Sequence, residues 1–192
     1  MPPSLLFATN NSHKLREVRE IISDSVRILS LKDVAFKGEI PETGNTLEEN
    51  ACQKARYVYD RTGMDCFADD TGLFIDALDG RPGIFSARYA GEGCIFDDNI
   101  RKVLAELENT ENRKASFRCV VCLILGGKKY RFDGRVDGTI LTARQGTEGF
   151  GYDPVFQPNG QSQTFSQMPP YLKNGISHRG RAIGKMLRFM EC

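Results

Sequence analysis

Two acids side by side, Asp69 and Asp70 in the run FADDTG, fall where a short apolar strand gives way to a turn. Adjacent carboxylates at a strand end repel each other, and a cation relieves that repulsion. Hard divalent ions take oxygen ligands, and magnesium usually shares them with substrate phosphates. Glu42, in the loop PETG, is a third carboxylate able to join them, although spacing alone does not bring it there. A solvated turn accounts for the same acids equally well at this level.

A second set of residues suits phosphate. In FATNNSHKLREV, residues 7–18, Lys14 falls in the first turn of a helix. The positive end of the helix dipole disfavours a lysine there by a few tenths of a kcal/mol unless an anion is close. A strand running into a helix leaves backbone N–H groups free at that end. Thr9 and Asn10 add side-chain donors and Lys14 a point charge, a set that fits a polyphosphate; an ordinary surface lysine is the plainer alternative. Lys54 and Asn50 border the apolar stripe of a helix over 46–62, and the lysine either snorkels to water or points into a cleft. The run GTEGFGYDP, residues 146–154, has glycines that let backbone approach a ligand closely, with Phe150 and Tyr152 as stacking faces for a base. KNGISHRG, residues 173–180, puts Ser177, His178 and Arg179 at the start of the last helix, a second anion-friendly terminus, although a lone histidine is more often structural.

These residues need elements to position them. SLLFA, residues 4–8, reads as a buried strand, and Leu15, Val18, Ile21 and Ile22 give a helical period after it, with Asn10, Asn11 or Ser12 as candidate N-caps. TLEE opens a second helix at Thr46 with a capping box; Leu47, Ala51, Ala55 and Val58 mark its stripe and Gly63 stops it. Residues 64–68 read as a strand ending in DDTG, and 97–108 as a helix on Ile100, Val103, Leu104 and Leu107. Residues 115–125, Gly126-Gly127 and 128–136 read as a hairpin. The segment 144–163 reads as loop, and the last helix runs from Ser177 to Met190. Strands alternating with helices, plus an antiparallel pair, predict an α/β fold with a mixed sheet; the dinucleotide glycine fingerprint is absent.

Composition narrows the function. The 192 residues fit a single domain, 1–192, and carry 26 basic against 25 acidic side chains, so no basic stripe marks a nucleic-acid polymer as partner. No apolar run approaches a membrane span, and the opening Met-Pro-Pro-Ser does not read as a signal peptide, so the expectation is a cytoplasmic protein without a membrane partner. Cys119 and Cys122 form a C-x-x-C, but inside a strand-like run, where residues three apart point to opposite faces and cannot hold one zinc. The six cysteines read as reduced, with Cys52, Cys66, Cys94 and Cys192 carrying no spacing signal.

Taken together, TNNSHK, PETGNTLEENACQKA, ADDTGL, GRPGIFSARY, GFGYDPVF and KNGISHRG occur in this order across nearly the whole chain. In them the sequence resembles the inosine triphosphate pyrophosphatase family, which acts on ITP, dITP and XTP. The resemblance implies an elongated mixed sheet with flanking helices, in two lobes around a central active-site cleft, and a homodimer. It implies a substrate loop of Thr9, Asn10, Asn11, Ser12, His13 and Lys14, with Lys54 near the phosphates. Glu42, Asp70 and Asp69 would engage Mg²⁺, Asp70 would act as general base, and Thr71 would stand alongside. Phe150, Gly151, Tyr152, Asp153, Lys173, His178 and Arg179 would form the nucleoside end. Thr71 keeps a hydroxyl where relatives often have serine, whereas Asn11, Ser12 and His13 replace a commoner glycine-containing loop.

The implied reaction is hydrolysis at the α-phosphorus, releasing pyrophosphate. Rival readings are a Maf-type pyrophosphatase, against which SHRG argues, and a nucleotide-binding sensor without turnover, against which Glu42, Asp69, Asp70 and both lysines argue. A Nudix hydrolase is excluded by the missing glutamate-rich helix signature.

Overall fold

The alternating run ASFRCVVCLIL lies at the heart of a seven-stranded sheet. In the computed structural model, which describes residues 3–22 and 26–191, the order is β1 (Ser4–Phe7), α1 (Ser12–Ile22), β2 (Arg27–Leu29), α2 (Leu47–Thr62), β3 (Cys66–Ile75), β4 (Pro82–Gly83), α3 (Phe96–Glu106), β5 (Lys114–Leu125), β6 (Lys128–Ile140), β7 (Phe156–Pro158), α4 (Pro170–Ile176) and α5 (His178–Met190). Met1, Pro2 and Cys192, which bear on the leader and cysteine readings, lie outside the described residues. The strands run β2-β1-β3-β5-β6-β7, with β4 also on β3. β1 is parallel to β2 and β3, and the remaining pairs are antiparallel. The expected mixed α/β sheet is therefore present, and no described helix is long and apolar enough to cross a membrane.

Side-chain alternation divides the core by face. Phe7, Phe67, Cys119, Val121 and Leu123 pack under α1 and α5. Leu6, Ala68, Cys122 and Ile124 pack under α2 on the other face. Cys119 and Cys122 thus point to opposite faces, as their spacing in a strand requires, and Cys52, Cys66, Cys94, Cys119 and Cys122 are free thiols. A third cluster joins the far half of β3 to α3, β6 and β7 around Leu73, Ile100, Val103 and Phe156. An isolated helix as short as α1 is marginal in water. Burial of Val18 and Ile22 against the sheet, worth about 3–6 kcal/mol together, decides that it forms.

Several sequence expectations are corrected. β3 does not stop at the acids but runs through them to Ile75, because each of its residues from Cys66 to Ile75 has a partner on β5. Successive side chains of a strand point to opposite faces, so Asp69 and Asp70 do not share a turn. The N-cap of α1 is Asn11, one of the three expected candidates, whose Oδ1 accepts the N–H groups of His13 (2.9 Å) and Lys14 (3.1 Å). At α2, Thr46 accepts from Glu49 as expected, but Glu49 reaches Asn45 N–H in place of Thr46, so half the capping box holds. α3 begins and ends slightly earlier than predicted, and β6 extends to Ile140 because its charged outer residues face solvent while β5 pairs with its whole length. β2, β4, β7 and α4 are too short or too proline-bound to leave a period in the sequence.

One close approach sets the position of α5. A Cβ on Gly134 of β6 would stand 1.9 Å from the His178 carbonyl oxygen and 2.8 Å from Ala182 N. The bare glycine lets the start of α5, with His178 and Arg179, lie directly on the sheet. Gly134→Ala forces that helix outward, and overpacking of this kind should lower the thermal midpoint by about 2–12 °C. Circular dichroism melts of the two proteins test this, and an unchanged midpoint would contradict the close packing.

Candidate active site

A cleft of about 600 Å³ opens where β1 runs into α1, across from α3 and the 3-10 turn Ser86–Arg88, and between β3 and the start of α5. Residues 9–14, Glu42, Lys54, Asp70, Thr71, residues 150–153, Lys173, His178 and Arg179 all line it. The structure thus brings together every residue that the family resemblance assigns to the site except Asp69, while Asn50 and Ser177 also lie outside the cleft lining.

Asp69 and Asp70 part company because they are neighbours in a strand. Asp69 turns toward α1 and α5, where its carboxylate is fully buried between Lys14 Nζ (3.0 Å) and Arg179 Nε (3.0 Å). Burial alone would raise its pKa, but Lys14 and Arg179 outweigh it and hold the carboxyl well below the usual range. It is therefore held by protein cations and, unlike Glu42 and Asp70, is not among the residues that line the cleft. The same pair explains Lys14 at a helix start: Asp69 supplies the anion that the dipole argument demands. Two N–H groups of that helix end are likewise taken by Asn11 and are not free for a ligand.

Asp70 turns the other way, toward α2. Its oxygens meet Lys54 Nζ at 3.3 Å and Asn50 Nδ2 at 3.2 Å, and Lys54 also holds Glu42. Asn50 in turn accepts Gly44 N–H at 2.8 Å, which ties the Glu42 loop to the helix. Burial pushes Asp70 up, and the attraction of Lys54 does not fully offset it. Glu42, also raised by burial, is pulled below its ordinary value chiefly by Lys54. Two carboxylates against one lysine leave this corner negative. Among the described residues no cluster of three His, Cys, Asp or Glu side chains forms a cage for a metal. A cation that completes its shell with substrate phosphates needs only one or two carboxylates, and Glu42 with Asp70 fits that requirement.

Behind the cleft the ion pairs continue. Arg179 also binds Glu17, Glu17 binds Lys173, and Lys173 Nζ reaches Asp153 at 2.5 Å. Asp153 finally accepts Phe150 N–H at 2.9 Å, fixing the turn 149–153. Gly149, at φ +78, is required here, since a Cβ would sit 2.1 Å from the Asp153 carboxylate. The sequence reading missed Glu17; its one signal is the i, i+3 spacing from Lys14, which puts both on one face of α1. Phe96 of α3 was missed as well. It joins His13 and Phe150 in an aromatic group, with His13 stacked on Phe150 at 5.1 Å and Phe96 edge-on to His13 at 5.7 Å. Tyr152 differs from the stacking role expected of it: it is buried, and its hydroxyl donates to the Ser86 carbonyl at 2.8 Å.

His178 is buried, with its ring stacked on Phe117 at 4.7 Å and its Nδ1 without a hydrogen-bond partner among the described residues. Burial, helped by Arg179 and Lys173, pushes its pKa well below the ordinary value, so the ring is neutral. In the unfolded chain it takes up a proton below about pH 6.5, whereas the folded protein does not. The unfolded state then binds more protons, so His178 costs stability as pH falls, by up to about 1.4 kcal/mol per unit. Burial raises Asp70 and Asp153, which act in the opposite sense but are common to wild type and variant. Urea unfolding of wild type and His178→Gln between about pH 7 and pH 5 should show a steeper loss in the wild type. Parallel curves would mean that the imidazole is not held neutral.

A sequence profile of the Ham1 family matches residues 5–189. The chain is 49% identical over 183 residues to a protein of Flavobacterium johnsoniae named dITP/XTP pyrophosphatase, covering 95% of each chain. It is 48% identical over 189 residues to a protein of the same name from Porphyromonas gingivalis, covering 98% of this chain and 97% of that one. Its fold superposes on the HAM1 protein structure from Coxiella burnetii with a TM-score of 0.88 at 36% identity, over 99% of this chain and 100% of that one. With the ordered motifs, the sheet and the cleft in agreement over almost its full length, the chain belongs to the Ham1 family.

Proposed function

We propose that this chain hydrolyses ITP, dITP and XTP between the α- and β-phosphates, giving the monophosphate and pyrophosphate and so clearing deaminated purine nucleotides. The family relatives, named dITP/XTP pyrophosphatases, support the substrate class. The observation that carries the chemistry is the alternation of β3, which leaves Asp70 in the cleft as a carboxylate with a raised pKa while Asp69 is sealed in ion pairs. A general base works best when its pKa approaches the working pH, and Asp70 is the acid shifted that way beside Lys54.

Magnesium would be held by Glu42 and Asp70 and would supply positive charge to the phosphate oxygens. The charge balance supports that need. Lys14, Lys54, Arg88, Lys173 and Arg179 line the cleft, against Glu42, Asp70 and Asp153 with Asp69 and Glu17 behind them. The pocket is thus formally neutral, and a triphosphate requires more positive charge than the protein provides. Asp70 accepts the proton of the attacking water, Lys54 orients Asp70 and faces the phosphates, and Thr9, Asn10 and Lys14 hold the phosphate chain. At the other end, Phe150 and His13 border the base. The Arg179 guanidinium, donor-only and with Nε and Nη1 bound to Asp69 and Glu17, and neutral His178, which can donate from its one N–H, favour a 6-oxo purine over adenine, whose 6-amino group meets the guanidinium donors with a donor. A homodimer rests on the family resemblance alone, and a cytoplasmic location on the sequence features given above.

With ITP and Mg²⁺, chromatography should find IMP and pyrophosphate in equal amounts, and none after chelation with EDTA. IDP and orthophosphate as first products, or full activity in EDTA, would overturn the reading. Asp70→Asn should lower turnover about 10²- to 10⁴-fold with a thermal midpoint within a few degrees of wild type. Asp69→Asn should instead lower the midpoint markedly, because it breaks buried pairs worth about 3–5 kcal/mol. The reverse pattern would exchange the two roles.

A further inference from the structure

Among the cations that line the cleft, Lys14, Lys54, Lys173 and Arg179 each face a carboxylate at ion-pair distance. Arg88 is the exception. Its side chain makes no ion pair or hydrogen bond among the described residues, and its guanidinium rests only over the exposed ring of Phe85, 5.3 Å from the centroid. A cation already paired gives an incoming anion little net field, whereas an uncompensated one gives its full charge.

The backbone beneath Arg88 is held firmly. The buried Asn99 donates to the Ala87 carbonyl at 2.8 Å and accepts Ala90 N–H at 2.7 Å, gripping the chain on both sides of Arg88. Ser86 is fixed as well: its hydroxyl accepts Leu73 N–H at 2.8 Å and donates to the Gly83 carbonyl at 2.6 Å. A rigid platform with a long side chain over an apolar ring is how a cation is kept ready for a ligand at small entropic cost. Arg88 lines the same cleft as Glu42, Lys54 and Lys14, the residues read above as the polyphosphate end. The aromatic group around Phe150 marks the nucleoside end.

We propose that Arg88 grips the pyrophosphate half of the nucleoside triphosphate, its guanidinium fork binding two phosphate oxygens from the wall facing Glu42 and Lys54. Planar two-donor geometry matches phosphate in a way a lysine ammonium does not. This rests on the triphosphate reading above and adds to it the group that distinguishes the leaving pyrophosphate from the nucleotide product.

The test compares wild type with Arg88→Ala and Arg88→Lys in magnesium buffer, using inorganic pyrophosphate and IMP as competitive inhibitors of ITP hydrolysis and as ligands in calorimetry. Arg88→Ala should weaken pyrophosphate affinity at least about tenfold, the order expected for a lost charge-assisted contact, and leave IMP affinity within about twofold. Arg88→Lys should fall between the two. Thermal midpoints equal to wild type will show that the platform is intact; should Arg88→Ala melt early, Arg88→Lys alone decides. Unchanged pyrophosphate affinity, equal weakening of both ligands, or no pyrophosphate binding by the wild type would overturn the assignment. If the wild type released orthophosphate from ITP, the proposed function would fail, while the calorimetric comparison would still decide Arg88.

Discussion

Asp69, buried between Lys14 and Arg179, ties the central strand of the sheet to the two helices on one face. Taking such charges out of water is costly unless each finds a partner of opposite sign. The chain meets this by extending the pairs through Glu17 and Lys173 to Asp153 and the Phe150 turn. Signs alternate along the whole path, so no member is left unsatisfied. The consequence is mechanical: the start of α1, the start of α5 and the turn at 149–153 are tied into one network, which holds the two sides of the cleft in register.

Such a network contributes more to position than to net stability, since a buried ion pair replaced by apolar residues is often neutral or better for folding. Its value lies in preorganisation. Groups that must meet developing charge are most effective when they need no rearrangement at the moment of reaction. On the opposite face of β3 the same economy fails by design of the sequence: Glu42 and Asp70 share one lysine, and burial leaves Asp70 readier to take a proton. One strand therefore presents one acid sealed in ion pairs and one that lines the cleft.

The second wall of the cleft is built differently. Hydrogen bonds from Asn99 and Ser86 fix a short 3-10 turn, and an aromatic group of His13, Phe96 and Phe150 stands beside it in the cleft wall. Here stiffness comes from neutral polar groups and ring packing, and Arg88 has no carboxylate at ion-pair distance among the described residues.

The sequence by itself determined the class of fold, most helices and the cleft's membership. Helical stripes, the Thr46 and Gly63 caps and the 126–127 turn are local signals, legible because they depend on residues a few positions apart. The ordered motifs named the residues of the site, and nearly all of them line one cleft. Their roles were decided by tertiary structure. DDTG read as a strand end, because two acids in a row look like a turn; only pairing with β5 carries the strand through them, and only the face each one meets separates the buried Asp69 from the accessible Asp70. Glu17 left almost no sequence signal, and Arg88 only its place in GRPGIFSARY, since what marks them is the presence or absence of a partner far along the chain. Electrostatic roles depend on burial and on charges brought within about 4 Å, and those distances do not exist until the sheet and its helices have packed.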